Sequence, residues 1–430
     1  MMTEQQLREL AEKMIGWATA DDVMVGLGGG HHGSTRFSDN VITQNVAGAG
    51  MGAGITVAFG NRTGAAGGND LSDEALRALV ERAEALAKST EPDTEYMPPL
   101  EPQEYLDVPD YAARTAEFGP PDRGAIVREV VGGASAASLR AAGSVASGVG
   151  SGLTANSRGL VAFHESTSAN LIVSMLGGGC SGWAGWRGHD VAGLDPQQVA
   201  ASARHYAELA RDPVEVPPGH YTVILLPEPL SELVFYMLWH TDAKAADEGR
   251  SAFRDREGTR IVGENITLRT DPTCPAVPGS PHFGDGLPTR PRTIVDRGVL
   301  TSLNYTRFWA QKKGHEPCYM PTNVLMDGGE ASLEELIASV EDGLLINRLW
   351  YIRDVDKMKL LLTGMTRDAL LRIKDGQIVG AAKHMRFNMS PLDMLSRVRA
   401  LGCPEPAGTY PALLPPIVVE DFYFSSGTQF

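Results

Sequence analysis

The segment that decides the fold runs from Tyr221 to Ser251 and reads YTVILLPEPLSELVFYMLWHTDAKAADEGRS. Its first six residues have the composition of a buried strand, and the apolar residues that follow recur at helical spacing. The sequence therefore predicts a strand and then one long helix over about residues 228–247. On such a helix His240, Lys244 and Glu248 would lie four residues apart and form one polar stripe. That stripe would be either a solvated helix face with an ion pair, or the wall of a cleft that binds the backbone or the ends of a substrate.

The predicted helix resembles the metal-binding segment of the TldD/PmbA (TldD/TldE) metallopeptidase family, in which an H-E-x-x-x-H motif is followed by an E-G pair. His240 and Glu248 with the next glycine match that pattern, whereas Thr241 stands at the Glu position and Ala245 at the second His position. The resemblance continues at Asn156–Gly159, Gly258–Val262, Thr270–Pro272, Pro321–Asn323, Thr363–Asp368, Ile373–Ile378, Arg386–Pro391 and Pro416–Ser426. The last of these segments resemble the PmbA/TldE-like branch of the family.

The two substitutions remove residues that the hydrolytic chemistry requires. A catalytic zinc site needs about three protein ligands and a position for water, and a nearby carboxylate acts as the base on that water. The resemblance implies that the third ligand is a cysteine near the C-terminus, and Cys403 lies in that region. A methyl group at Ala245 cannot bind a metal, and the hydroxyl of Thr241 does not ionise near neutral pH. We therefore expect no metal in this chain, with His240 and Cys403 as remnants of the site.

The resemblance also implies a partner. It predicts that this chain is the non-metal (TldE/PmbA-like) subunit of a heterodimeric peptidase, with the zinc held by a TldD-like homologue and small or unfolded peptides, or small amide intermediates, as substrates. A homodimer is possible when that partner is absent. Two alternatives remain open, namely a metal-independent hydrolase or lyase with a reworked site around His240, and a non-catalytic binding protein.

The candidate site residues follow from these alternatives. The substrate-binding candidates are His240, Lys244, Glu248, Arg250 and Arg367, of which the first three are also the candidates for catalysis. The guanidinium of Arg367 could bind a peptide carboxylate through two hydrogen bonds, or it could form a structural salt bridge with the neighbouring aspartate.

Three other histidine segments are weaker candidates for metal binding. His164-Glu165 has no second histidine at the spacing that a metal helix needs, and we interpret it as a strand end. The segment His315–Cys318 (HEPC) is predicted to be a surface bend because it contains a proline. We expect the pair His31-His32 to be exposed to solvent.

The length and composition predict an α+β protein of two domains. A chain of 430 residues is too long for one ordinary core. The Pro-rich segment 213–219 is the best candidate for a linker, so we place an N-terminal α+β domain at 1–215 and a C-terminal β-rich domain at 216–430. The family resemblance implies the same division, with antiparallel sheets in the second domain.

Charge and hydropathy exclude several functional classes. A net charge of −15 offers no basic patch to neutralise phosphates, which argues against a nucleic-acid partner. No apolar run approaches 20 residues, so no transmembrane helix is expected, and the first ten residues lack the apolar core of a signal peptide. The four cysteines are widely spaced, which favours reduced thiols and a cytoplasmic protein.

Local patterns give further predictions. Helices are expected over residues 3–18, from a cap at Ser72 and from a cap at Asp195, together with a capping box at Ser332 and Glu335. Short strands are expected at 23–27, 41–46 and 54–59. The glycine run Gly28–Gly33 lacks the features of a phosphate-binding loop and is interpreted as a hairpin or surface loop.

Overall fold

The computed structural model describes residues 2–428, and within that range the chain forms ten α-helices and nineteen strands. Helices and largely antiparallel sheets are mixed along the chain, so the predicted α+β class is confirmed. The strands of one sheet all lie before residue 189, and those of the other two sheets lie after residue 218. The domain boundary at 215/216 stays a prediction.

The N-terminal half is a six-stranded antiparallel sheet in the order β3-β2-β1-β4-β5-β6, with helices packed against it. The strands are β1 Asp22–Ser38, β2 Val41–Phe59, β3 Arg62–Gly68, β4 Arg140–Asn156, β5 Val161–Gly177 and β6 Cys180–Gly188. The helices are α1 Glu4–Trp17, α2 Asp73–Ser89, α3 Ala113–Ala116, α4 Pro120–Ala136 and α5 Pro196–Leu209. Buried apolar side chains of the first two helices pack with those of β1, β2 and the end of β4 in one core. Those of α4, α5, β5 and the first part of β4, together with Phe37 of β1, make a second.

The glycine run is not a loop, and that prediction was wrong. Gly28–Gly33 lies inside β1, which continues to Ser38, and the two strands expected at 41–46 and 54–59 are one strand, β2. In the register of the sheet, Gly30 lies opposite Gly50 of β2 on one side and Gly150 of β4 on the other. Glycine is normally depleted in strands, but here β1 forms ladders with two neighbours along most of its length.

The C-terminal half contains two further sheets. One has the order β10-β9-β8-β11-β18-β17, and the other has the order β12-β7-β19-β15-β13-β14 and closes through a β12–β13 pairing, with β16 beside β19. All the pairings are antiparallel except β11–β18 and β12–β7. The strands are β7 Gly219–Leu225, β8 Leu268–Thr270, β9 Arg292–Asp296, β10 Val299–Leu300, β11 Val324–Met326, β12 Asp342–Asp356, β13 Leu361–Lys374, β14 Gln377–Ala382, β15 Met385–Met389, β16 Val398–Leu401, β17 Glu405–Pro406, β18 Ala412–Leu414 and β19 Ile417–Gly427. The helices are α6 Pro227–Trp239, α7 Ala243–Asp247, α8 Arg307–Lys313, α9 Leu333–Ala338 and α10 Pro391–Ser396.

The single long helix predicted over 228–247 is two helices, α6 and α7, with a break at residues 240–242. Inside the break Thr241 is buried. Its hydroxyl donates to the carbonyl of Leu238 at 2.6 Å, and the same hydroxyl accepts from the side-chain amide of Asn304 at 2.7 Å. Asp242 has an extended backbone and caps α7, because its carboxylate accepts from the amide of Ala245 at 2.6 Å. These side-chain bonds replace the backbone bonds that a continuous helix would make.

The other helix starts agree with the sequence. Ser72 accepts from Ala75 at the start of α2, Asp195 accepts from two amides at the start of α5, and Ser332 and Glu335 form the expected capping box. Within residues 2–428 no helix is long and apolar enough to cross a membrane.

Candidate functional site

The break between α6 and α7 opens into a cleft of about 400 Å³. One wall comes from the end of α6 and from the segment that follows it, and the other comes from the outer part of β12. The lining residues are Tyr236, Trp239, His240, Asp242, Ala245, Arg250, Ser251, Arg353, Asp354 and Lys357. His240 and Ala245, the two positions that correspond to the family's histidine ligands, therefore face the same cleft.

The His240 ring has one hydrogen bond and one carboxylate nearby. Nδ1 lies 2.8 Å from the carbonyl oxygen of Tyr236, and Nε2 lies 3.2 Å from Oδ1 of Asp354. The carbonyl of Tyr236 can only accept, so Nδ1 carries the hydrogen of that bond. The side chain is 15% exposed. Nε2 faces the carboxylate of Asp354.

The remaining side chains of the cleft do not fit a zinc ion. Arg250, Arg353 and Lys357 bring three cationic groups to it, and Ala245 presents only a methyl group. Within residues 2–428 no group of three or more His, Cys, Asp or Glu side chains is placed so that it could hold a metal. Asp242 and Asp354 also line the cleft, so its cationic groups outnumber its carboxylates by three to two.

Cys403 does not contribute to this cleft. It follows β16, its side chain is exposed, and its backbone amide donates to the carbonyl of Ala331 at 3.0 Å. It is absent from the lining of the cleft around His240.

The predicted polar stripe of His240, Lys244 and Glu248 is also wrong, because the helix on which it would lie is broken. Lys244 extends to the N-terminal half, where its Nζ lies 2.5 Å from Oε1 of Glu95, and this hydrogen bond raises the pKa of Lys244. Glu248 forms an ion pair with Arg250, which lowers the pKa of Glu248. Only His240 of the three faces the cleft, together with Arg250.

Arg367 has a structural role, which was the alternative to binding a peptide carboxylate. Its Nε lies 3.8 Å from Oδ2 of Asp368, and its guanidinium lies 4.6 Å from the ring centroid of Trp350. Asp368 has a closer partner in Arg348, at 2.9 Å. Arg367 therefore packs on an exposed aromatic ring and lies outside the lining of the cleft.

The other histidines lie apart from the cleft. His164 is inside β5 and not at its end, and Nε2 lies 2.8 Å from Oδ2 of Asp110. His315 follows α8 and stacks on Tyr305 with 4.3 Å between ring centroids. His31 and its neighbour are exposed on β1, as expected.

The start of α6 carries two carboxylic acids that the sequence analysis did not consider. Oε2 of Glu228 accepts from the amide of Thr409 at 3.0 Å. Burial raises the pKa of Glu228, and burial together with the charge of Glu228 raises the pKa of Glu232 to about 8.

Sequence reasoning also missed the second wall of the cleft. Arg353, Asp354 and Lys357 lie more than 100 residues after His240 and reach it because β12 passes beside the end of α6. The hydroxyl of Tyr236 fixes this approach by donating to the carbonyl of Ile352 at 2.8 Å. The only signal in the sequence is the mixture of aromatic and charged residues in 350–357, which is unusual for a strand in a core.

Large apolar side chains are exposed around the cleft. They lie at the end of α6, along the outer part of β12 and in the turn after β12, and are between 41% and 71% exposed. We call this set the aromatic surface; it consists of Trp239, Trp350, Tyr351, Val355 and Met358. β7 pairs with β12 only over residues 343–346, so within the described chain residues 347–356 have a strand partner on one side only. Exposed apolar side chains beside a free strand edge are typical of an interaction surface.

We expect the substitutions Thr241→Glu and Ala245→His together not to create a zinc site. The new histidine would face three cationic groups, Cys403 would remain outside the cleft, and the glutamate would replace a side chain that is 1% exposed. Burying that carboxylate should also lower the free energy of unfolding by about 3 kcal/mol. Metal analysis after zinc loading and dialysis measures the first effect and urea denaturation the second.

The single variant Ala245→His is the control, because it adds the ligand without disturbing Thr241. About one zinc per chain in the double variant would contradict the geometry described for the cleft.

Comparison with known proteins gives matches to one family. Residues 218–426 match the family profile described as the PmbA/TldA metallopeptidase C-terminal domain, and residues 25–87 match PmbA/TldA metallopeptidase domain 1. A metalloprotease of Methanothermobacter thermautotrophicus is 26% identical over 204 residues, which are 43% of this chain and 43% of that protein. The match thus spans less than half of the length of that relative.

Two solved structures have the same fold over almost the whole chain. TldE of Thermococcus kodakarensis superposes with a TM-score of 0.88 and 18% identity, covering 97% of this chain and 99% of that one. A candidate modulator of DNA gyrase from Bacteroides thetaiotaomicron superposes with a TM-score of 0.86 and 20% identity, covering 100% of both chains.

Proposed function

Because this chain belongs to the PmbA/TldD metallopeptidase family, we propose that it is the zinc-free, TldE-like subunit of a heterodimeric peptidase. In this proposal the zinc-bearing homologue performs the hydrolysis of small or unfolded peptides. The present chain completes the enclosure around the substrate and supplies no metal ligand. The similarity of its fold to TldE of Thermococcus kodakarensis agrees with this role.

The observation that carries the proposal is the composition of the cleft around His240. Ala245 has only a methyl group at the second histidine position, Cys403 lies outside the cleft, and within residues 2–428 no group of three possible ligands is placed to hold a metal. The surrounding arginines and lysine would also repel a divalent cation. A chain with this cleft is suited to bind the negative end of a peptide, which a zinc-bearing partner would then cleave.

The aromatic surface supports the association with a partner. Obligate interfaces usually bury more than about 2,000 Å² and have apolar centres rich in Trp, Tyr and Met. Trp239 and Tyr351 are 71% and 61% exposed beside the cleft. A homologous subunit that covered them would bury these rings and would place its own residues next to the cleft.

The two alternatives have less support. A reworked catalytic site around His240 depended on a polar stripe with Lys244 and Glu248, and that stripe does not exist because the helix is broken. A pure binding protein would also use the cleft and the aromatic surface, and activity measured with a partner distinguishes it from the proposed subunit.

Co-expression with a zinc-bearing homologue, one that retains H-E-x-x-x-H, tests the proposal. We expect a stable one-to-one complex, or a symmetric assembly of such pairs, with about one zinc per pair and peptide hydrolysis that requires both chains. The variant His240→Ala should leave the zinc content of the complex unchanged, because the metal lies in the other subunit. Size-exclusion chromatography, metal analysis and cleavage of an unstructured peptide provide the three measurements.

The decisive control is the zinc-bearing chain alone. If it cleaves peptides at the full rate, or if the two chains elute separately at micromolar concentration, the proposed role is wrong. Loss of zinc from the complex on His240→Ala would place the metal in this chain and would also refute it.

A further inference from the structure

A second cavity, of about 350 Å³, lies between the two halves of the chain and apart from the cleft at His240. The N-terminal half contributes β5, β6 and the segment around Asp110, and the C-terminal half contributes the loops at 276–280 and 407–411. Its volume is at the lower end of the range for small-molecule sites. Thr322 of its lining lies in the segment Pro321–Asn323, but none of its lining residues lines the cleft at His240.

Asp110 brings an incompletely bonded carboxylate to this cavity. The residue is 8% exposed, and Oδ2 lies 2.8 Å from Nε2 of His164. Oδ1 is buried and has no hydrogen-bond partner. A buried acceptor without a partner destabilises the folded chain, so a donor that reached this carboxylate would recover free energy. Because Oδ1 is shielded from solvent, a donor in the cavity would reach it only after the carboxylate turned about its terminal torsion, which is broad in aspartate.

Arg187 brings the opposite charge to the same cavity. It lies near the end of β6, its side chain is exposed, and among the described residues no carboxylate lies within salt-bridge distance of it. Its guanidinium has five N–H donors in a fork that matches a carboxylate. The cavity thus holds an under-bonded carboxylate and a guanidinium free of ion pairs, with Ser166, Ser168 and Ser280 also among its lining residues.

We propose that this cavity binds a small zwitterion, namely a free amino acid or a dipeptide with both ends unblocked. The ammonium group donates to Asp110 and to the nearby serine hydroxyls, and the carboxylate accepts from Arg187. An extended dipeptide spans about 7 Å, which suits a cavity of this volume. His164 holds the Asp110 carboxylate and acts as a positioning residue. This inference does not depend on the proposed partnership, because it concerns this chain alone.

Isothermal titration of the purified chain with Ala-Ala, N-acetyl-Ala-Ala and Ala-Ala-amide tests the proposal. We expect the free dipeptide to bind, and each blocked peptide to bind at least about tenfold more weakly, because each lacks one charge-assisted contact. No binding of Ala-Ala up to 10 mM, or equal affinity for all three peptides, would overturn the proposal. This comparison uses the unaltered chain and therefore does not depend on the folding of any variant.

Variants assign the two ends of the ligand. Asp110→Asn should weaken binding of Ala-Ala at least about tenfold and leave the affinity for N-acetyl-Ala-Ala unchanged. Arg187→Gln should also weaken binding of Ala-Ala at least about tenfold, and it should leave the affinity for Ala-Ala-amide unchanged. The matched controls are Asp107→Asn, in the same segment as Asp110, and Arg204→Gln, an exposed arginine of α5. If a control variant weakens binding as much as its counterpart does, the assignment of the two ends is wrong.

Discussion

A chain that carries Trp239→Ser and Tyr351→Ser is expected to lose its stable association with a zinc-bearing homologue. Tryptophan and tyrosine at the centre of an interface typically contribute 2 kcal/mol or more each when truncated. Two such losses correspond to about a thousandfold increase in the dissociation constant. The expected result is a shift from a one-to-one complex to separate chains in size-exclusion chromatography. Peptide hydrolysis should fall in parallel at a fixed, sub-micromolar concentration of both chains.

The two substitutions should leave the fold intact, because the side chains that they remove are exposed in the free chain. Circular dichroism and the midpoint of thermal unfolding check this. Tyr111→Ser is the matched control, since Tyr111 is a 46% exposed aromatic residue of the N-terminal half. An unchanged dissociation constant for the double variant would show that the partner does not cover the aromatic surface.

Replacement of Gly30 by alanine is expected to destabilise the N-terminal sheet by about 3 kcal/mol, at the upper end of the usual cost of overpacking. A Cβ atom at this position would lie 1.9 Å from the carbonyl oxygen of Val149 on β4. That oxygen belongs to the backbone of a central strand and cannot move without breaking the ladder between β1 and β4. Urea denaturation followed by tryptophan fluorescence measures the change.

Gly50→Ala provides a close control. Gly50 lies directly opposite Gly30 in the register of β1 and β2, but nothing lies within 4 Å of a Cβ atom built there. Its replacement should change the free energy of unfolding by less than about 0.5 kcal/mol. Equal effects of the two substitutions would mean that the close approach of β1 and β4 at Gly30 does not exist.

Patterns that depend on a few neighbouring residues were predictable from the sequence. The helix caps at Ser72 and Asp195 and the capping box at Ser332 were each located correctly. A cap is a bond between a side chain and a backbone amide two or three residues away, so its signal is contained in a short segment. The α+β class follows in the same way from the alternation of such segments.

Patterns that depend on distant partners were not predictable. The break after Trp239 relies on Asn304, whose amide donates to Thr241 and whose backbone pairs with residues 241 and 243. The continuation of β1 through its glycines relies on β2 and β4 on either side. In each case the prediction followed the local helix or strand propensity, and contacts with residues distant in the sequence outweighed that propensity.

The candidate site also depends on residues that are distant in the sequence. His240 was identified from its position in the motif, but its partner Asp354 lies 114 residues later on β12. Without that pairing, the sequence suggested a helical stripe in which Lys244 and Glu248 would act beside it. The structure instead assigns those two residues to ion pairs with Glu95 and Arg250.

The bonds of His240 also explain why a chain without a metal-ligand set can retain this histidine. The ring donates to the carbonyl of Tyr236 in the last turn of α6, and its backbone amide donates to the carbonyl of Met237 at 3.1 Å. A donor at that end satisfies a carbonyl that the helix leaves open. His240 therefore has a structural role at the end of α6 that does not depend on any metal. A motif residue can be needed by the scaffold as well as by the chemistry, so its presence alone does not measure the chemistry that a chain performs.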